Sequence, residues 1–303
     1  MAELKGMTIE LNISDKYEDA ISSNQNLTFE TLESEFKRAG LELNDEQMFA
    51  LGLKNAGNRY TNLAFWLSEQ CECSTKAVVI RESMPIVKKE ELFQGSLLKQ
   101  LRDIGKYMSK YHGIFLTCYA DDLVTPYPEE AIQEAIINAI IHRDYSISDS
   151  NLIKIYADRI EFISIGGIAN GFTRDDIMLG VSALRNSKLS NIMRQLNNSN
   201  LAGNGIIRIH KAYSEYAVKP IFEVSDNIFK LSLPNKALYN SANERECKII
   251  SYLIDNQTIT RSQAQELLKI DIQAAGRTLS SMLKRGAIKR LGTGKYTRYA
   301  LFN

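Results

Sequence analysis

The stretch YPEEAIQEAIINAIIHRDYS, Tyr127 to Ser146, decides how the chain is read. Pro128 precedes a run with the spacing of one helix, from Glu129 to His142. Glu134, Asn138 and His142 are four apart, so they fall on one side of that helix and drift about 40° per step. Ile136, Ile137, Ile140 and Ile141 cover the other side as core. A polar stripe on so apolar a helix needs partners, because an unpaired carboxylate or amide is costly to bury. One set of partners is a hydrated magnesium ion with nucleotide phosphates, with Asn138 as oxygen ligand and Glu134 as a base that orients water. The other is structural, with Glu134 and His142 bonded only to neighbouring strands and the adjoining loop.

Upstream, apolar residues recur at helical spacing from Glu90 to Tyr111 (Leu92, Leu97, Leu101, Ile104, Met108), which predicts one amphipathic helix. LAFWL, starting at Leu63, and KAVVI, starting at Lys76, are short, β-rich apolar runs and predict strands. Trp66, in the first of them, is expected in the core or an interface rather than under a ligand. Thr28 and Thr31 with the glutamates after them predict a helix start leading to Phe36, and Asn44-Asp45-Glu46 predicts another. Downstream, two strands are expected over 151–156 and 159–165, ending at Gly166-Gly167. Gly203-Asn204-Gly205 then opens an apolar helix. IFEVS and IFKLSL predict a closing pair of strands about Asp226-Asn227, and Pro234 to Asn243 reads as a linker.

The chain has 303 residues, more than one hydrophobic core usually organises, so two or three domains are expected. Hydrophobic residues at 44% and charged residues at 24% exclude a wholly disordered chain. The longest apolar run, Ala135 to Ile141, is interrupted by Asn138 and is too short to span a bilayer. No basic segment, apolar core and cleavage site open the sequence, so a soluble, cytoplasmic protein without membrane contact is expected. Cys71, Cys73, Cys118 and Cys247 are too few and too scattered for a disulfide framework. Cys71-x-Cys73 has no second Cys or His pair at zinc-like spacing, which favours reduced thiols over a metal site.

The formal charge of +1 sums unlike parts. Eleven acidic and six basic residues occupy the first sixty positions, whereas Ile272 to the C-terminus holds seven basic residues and no acidic one. Those seven lie in a segment that reads helix, helix, helix, hairpin. Ile249, Ile250 and Leu253 are the inward residues of the first helix, and Ala264, Leu267 and Leu268 of the second. Asp271 caps the third, whose inward face is Leu279, Met282 and Leu283. Ile288, Leu291, Tyr296 and Tyr299 alternate about a turn at Gly292-Thr293-Gly294. The order resembles the winged helix-turn-helix of bacterial regulators. Gln273 and Arg277 are placed to offer donors to base edges, with Lys284, Arg285, Lys289, Arg290, Lys295 and Arg298 on phosphates. The alternative is a domain for protein contacts whose cations are merely solvated.

In the middle of the chain, E-x-x-x-N-A-x-x-H with R-D-Y-S, then DRIEFISIGGI, RNSKL and GNGIIRI, follow in order. Together they resemble the GHKL-type ATP-binding domain of RecG-related proteins labelled as helicases or transcriptional regulators. The resemblance covers roughly 62–234 and implies a Bergerat-type fold, a mixed sheet with helices on one face and nucleotide under a lid. It assigns Glu134 and Asn138 to the N-box, Gly166 and Gly167 to the first glycine motif, and Gly203, Asn204 and Gly205 to the second. His142, Ser164 and Arg185 join them as cofactor-binding positions, with Mg on Asn138 and ATP as cofactor. Ser164 stands where hydrolysing relatives carry an Asp for the adenine amino group, and Ser187 where proline is common. Relatives begin with an AlbA-like module; this chain has no counterpart, and Met1 to about Ser22 resembles the linker after it. It is therefore either a fragment of a longer protein or a form without that module. No Gly-Lys-Ser/Thr phosphate loop occurs, so the helicase label has no support.

The expectation is an α/β (α+β) protein: an N-terminal α/β leader over 1–125, a Bergerat-like core over 126–236 and a winged helix over 237–303. Its expected function is DNA-binding regulation on double-stranded DNA, as a homodimer suited to a palindromic site. A Mg-dependent ATPase with Glu134 as base and a non-catalytic interaction scaffold are the alternatives.

Overall fold

The structure, a computed structural model, describes residues 7–10, 17–80, 89–116, 126–156, 158–167, 181–197, 205–216, 218–236, 244–284 and 287–301. Among them the strands β2 (Thr75–Val79), β3 (Lys89–Phe93), β4 (Asn151–Ile155), β5 (Arg159–Ile165), β7 (Ile221–Val224) and β8 (Ile228–Pro234) form one mixed six-stranded sheet. Its order is β3-β2-β4-β5-β8-β7, antiparallel at every junction except β2 with β4. Along β4, Asn151, Ile153 and Ile155 are buried while Leu152 and Lys154 are half-buried. That alternation marks a sheet with one face covered and one in part open. Helix α5 (Glu129–Ile141) lies on β5 and β8, with α4 (Leu97–Leu116), α6 (Ser187–Asn197) and α7 (Gly205–Ala212) against it. A short parallel pair, β1 (Met7–Glu10) with β6 (Val181–Leu184), stands apart from this sheet.

The helical spacing of α5, the strands β2, β4 and β5, and the closing β7–β8 hairpin agree with expectation. Two upstream assignments do not. LAFWL is not a strand but the core of α3 (Asn62–Leu67), whose first turn is capped by the Thr61 hydroxyl. Leu63, Ala64, Trp66 and Leu67 are all buried, and a helix buried all round shows no 3.6-residue period to detect. Nor is 90–111 one helix. Lys89–Phe93 pairs with β2 as an edge strand, Gly95 turns the chain at φ +82°, and the helix begins only at Leu97. The charged KEELF sequence suits an edge, where protruding charge discourages further pairing.

The helix expected after Thr28 is α1 (Glu30–Arg38), but no threonine caps it. The Thr31 N–H donates to the Glu69 carboxylate at 2.7 Å, and Thr28 is engaged with Gln70. Asn44 does cap α2 (Asp45–Ala50), accepting from Gln47 N–H at 2.9 Å. Residues from Phe29 to Leu233 share one buried cluster, so the N-terminal stretch and the sheet are packed together. Trp66 stacks between Tyr145, at 4.2 Å, and Tyr17, at 6.2 Å, a core position.

A second buried cluster holds Ile249, Leu253, Ile259, Ala264, Leu279 and Tyr299. It joins α8 (Glu244–Asn256), α9 (Arg261–Leu268), α10 (Ile272–Lys284) and the antiparallel pair β9 (Ile288–Leu291) and β10 (Arg298–Leu301). Thr260 and Gln263 form a capping box on α9, and Asp271 caps α10 through Ala274 N–H at 2.8 Å. Ile259 bridges to Tyr299, which ties the hairpin to the start of α9. Leu283, expected inward, is 37% exposed, and Leu291 and Tyr296 also face solvent. The inward face of α10 is instead Ala275, Gly276, Leu279 and Met282, a period of three to four with Leu283 one step past it. The 237–243 linker lies outside the described residues. Among the described residues no helix is long and apolar enough to cross a membrane.

Candidate functional site

Two surfaces carry the residues singled out in the sequence: the polar side of α5 where α7 meets it, and the exposed side of α10 with its hairpin. On α5, Glu134 is buried and Asn138 and His142 are half-buried, while Ile136, Ile140 and Ile141 fill the core on the other side. The first residue of α7 sits directly on this stripe. A Cβ at Gly205 would stand 2.6 Å from Asn138 Nδ2 and closer still to Glu134 Oε1, so any side chain here would make the ends of Glu134 and Asn138 move aside. The N-terminus of α7, with its free N–H groups and positive dipole end, therefore faces the Asn138 amide.

Glu134 is not left to water. Arg208, one turn along α7, places Nη1 3.2 Å from Glu134 Oε2 and Nε 3.6 Å from Glu130 Oε1. Burial raises the Glu134 pKa, the Arg208 charge pulls it back down, and Glu130 adds to the rise. This cation was missed in the sequence, where GNGIIRI was read for its glycines and isoleucines. The signal was an arginine set among the isoleucines Ile206, Ile207 and Ile209.

At the C-terminal end of α5 the glycine motif is held from three directions. Gly166 has φ +101°, and a Cβ there would lie 2.8 Å from the Asp144 Cβ. Gly167 passes so close to the β7–β8 turn that a Cβ would stand 2.5 Å from Ser225 O. Arg185 ties the two sides together: Nη1 donates to Asp144 Oδ2, and Nη2 to Gly167 O at 3.2 Å. Asp144 is thus the partner of Arg185 and not of its neighbour Arg143. The Arg143 guanidinium turns away and donates to the carbonyls of Ser74, Ile147 and Asp149. Although adjacent in sequence, the Arg143 and Asp144 side chains leave this turn in different directions.

Two buried asparagines frame the same corner, and neither was expected from sequence. Asn186 donates to Ile141 O at 2.7 Å and Arg143 O at 2.8 Å, closing the end of α5. Asn151 donates to Ala139 O at 2.7 Å and accepts from Ile165 N–H at 3.1 Å, locking helix to sheet. Ser164, buried, shares one face of β5 with Phe162 and Ile160. Glu134, Asn138 and Gly205 are therefore in mutual contact, as are Gly166, Gly167 and Arg185. His142 caps the end of α5 between them. Gly203 and Asn204 lie outside the described residues.

On the second surface, Gln273, Arg277 and Lys284 are exposed along α10, and Arg290 and Arg298 are exposed on the hairpin, with Lys289 half-buried. Lys295 belongs to the Gly294–Tyr296 turn between the strands. Arg285 lies outside the described residues. Arg261, at the start of α9, was not singled out, yet its guanidinium lies over Gly276, 3.1 Å from where a Cβ would be. It adds an exposed cation beside the first half of α10.

With this geometry in hand, the comparisons with known proteins can be placed. The family described as "Putative ATP-dependent DNA helicase recG C-terminal" matches residues 150–233. That segment holds Ser164, both glycine pairs and Arg185, and leaves out α5 and the second surface. A solved structure, the DIP2311 protein from Corynebacterium diphtheriae, resembles 95% of this chain at 18% identity with a TM-score of 0.60. The chain spans 64% of that protein's length, and the likeness is one of fold. No curated protein matches the sequence.

Proposed function

We propose that the chain is a DNA-binding transcriptional regulator whose 237–303 segment is a winged helix-turn-helix and whose 126–236 core is a Bergerat-like nucleotide sensor. The observation that carries the reading is the exposed face of α10. Gln273, Arg277 and Lys284 project from it, Arg290 and Arg298 flank it on the hairpin, and no acidic residue occurs after Asp271. A helix of this kind enters a major groove with its N-terminal half at base edges, while hairpin cations hold phosphates. Clustered cations gain most from a polyanion, through counterion release. A homodimer would present two such helices to a palindromic site.

In the core, the residues fit nucleotide binding better than hydrolysis. The N-terminus of α7 beside Asn138 suits phosphate, and the Asn138 oxygen would hold Mg, which neutralises phosphate charge when bound. Ser164 would face the base in place of a carboxylate. Glu134, the base an ATPase needs, is paired with Arg208. The description of the matched family joins ATP and DNA, in keeping with a sensor coupled to a DNA reader.

Duplex DNA binding by the full chain, followed by anisotropy across a salt series, tests the first half. Affinity should fall steeply as salt rises, and unchanged binding after Arg277→Ala with Lys284→Ala removes α10 from the interface. Thermal melting with Mg-ATP tests the second. Nucleotide at a hundred times its dissociation constant adds about 2.7 kcal/mol, and no shift with ATP, ADP or GTP refutes the sensor.

A further inference from the structure

The Cys71-x-Cys73 pair belongs to neither surface, yet its setting is specific. Both thiols are free, on the segment between α3 and β2. Cys71 N–H donates to Ser68 O at 3.3 Å, and Gln100 Nε2 holds the Cys73 carbonyl at 2.7 Å, so the backbone of the pair is fixed. Cys71 is buried and Cys73 half-buried, which leaves Cys73 as the sulfur that a small solute meets. Beside them is Arg143, 2% exposed. Its acceptors are the neutral carbonyls of Ser74, Ile147 and Asp149, its neighbour Asp144 is taken by Arg185, and its buried Nε has no acceptor. The Tyr145 ring lies 5.2 Å from the guanidinium and stacks on Trp66, which closes the apolar side.

A buried guanidinium without a carboxylate calls for an anion, and a thiolate is the one this cluster can form. The neighbouring Cys71 side chain and the Arg143 charge outweigh burial and lower the Cys73 thiol. The same neighbour and burial push Cys71 up, so it stays protonated.

We propose that Cys73 and Cys71 form a thiol–disulfide site for peroxides, with Cys73 as attacking thiolate, Cys71 as resolving thiol and Arg143 as the buried counter-cation. The Cys73 sulfur attacks one peroxide oxygen; the S–O bond forms, the O–O bond breaks, and the departing hydroxide or alkoxide takes a proton from solvent. The Cys71 sulfur then attacks the Cys73 sulfenic acid; the S–S bond forms, the S–O bond breaks, and the Cys71 proton leaves with hydroxide as water. Two thiols are oxidised and one peroxide is reduced by two electrons.

The test uses the full chain carrying Cys118→Ser and Cys247→Ser, so that only this pair remains. Hydrogen peroxide should remove both thiols together, and intact mass should fall by two hydrogens per chain. Cys71→Ala should stop at a Cys73 sulfenic acid that a cyclic dione traps, and Cys73→Ala should not react. Iodoacetamide labelling of Cys73 should have its pH midpoint below that of an ordinary exposed thiol. Arg143→Gln should move the midpoint upward; if that variant does not fold, Cys71→Ala gives the same displacement by removing the neighbouring thiol. A midpoint at or above 8.5 overturns the proposal. So does sulfenic acid on Cys71, or a pair still fully titratable after peroxide.

Discussion

Replacing Arg208 with alanine removes the cation 3.2 Å from the buried Glu134 carboxylate and leaves the Glu130 charge acting on it. At that separation and an effective dielectric near 20, the lost attraction is about 5 kcal/mol before solvent responds. The Arg208 side chain is 31% exposed, so water recovers part of it, and Glu134 can take up a proton rather than stay charged. A net loss of about 2 kcal/mol near pH 7 is expected, below the range for fully buried pairs. The loss depends on pH. A carboxyl whose folded pKa is raised contributes its stability below its unfolded pKa and loses it as pH rises through the folded value. Without Arg208 the Glu134 pKa rises further, so the variant falls behind over a higher pH range and recovers toward wild type in acid. Urea unfolding followed by Trp66 fluorescence is the assay, since the single tryptophan lies in the main cluster and not the C-terminal one. A double-mutant cycle with Glu134→Gln should give about 1–2 kcal/mol of coupling. A deficit under about 0.5 kcal/mol, or one equal at about pH 5 and about pH 8, would refute the reasoning.

Other outcomes follow from single contacts. Gly167→Ala puts a methyl 2.5 Å from Ser225 O, backbone that does not swing aside, and should cost about 2–3 kcal/mol in the same urea assay. Unchanged stability would show that the close crossing yields. Asn186→Ala strips the bonds to Ile141 O and Arg143 O and should cost about 2 kcal/mol, with faster amide exchange at the end of α5 as the confirming signal. Leu279→Ala, fully buried in the second cluster, should cost about 3 kcal/mol by circular dichroism while the Trp66 transition stays put. Arg277→Ala and Lys284→Ala should each lower the slope of log affinity against log salt by about 0.9 if each neutralises one phosphate.

How far the sequence could be read depended on how local the cause was. The four-residue spacing of Glu134, Asn138 and His142 follows from helix geometry, and α5 has that stripe. Asn44 and Asp271 were legible as caps because a cap bonds three residues ahead. Thr28 and Thr31 matched the same pattern, but Glu69 and Gln70 arrive there through the fold and take over. LAFWL failed because burial on every side erases the contrast from which a period is read. In the glycine motifs the type of residue was legible, but the neighbour that demands it was not: Asp144 for Gly166, the β7–β8 turn for Gly167, and Glu134 with Asn138 for Gly205.

By itself the sequence determined the helical period of α5, the strand periods of β4 and β5, the polar stripe of α5, the place of the glycines, and the gathering of cations after Asp271. All of these rest on bond geometry and on residues within a few positions of one another. Only the tertiary structure decided that Arg208 answers Glu134, that Arg185 takes Asp144 from Arg143, and that Arg143 is left beside Cys71 and Cys73. Charge interactions act through space at a few ångströms, and which side chains come within that distance is set by packing, not by order along the chain.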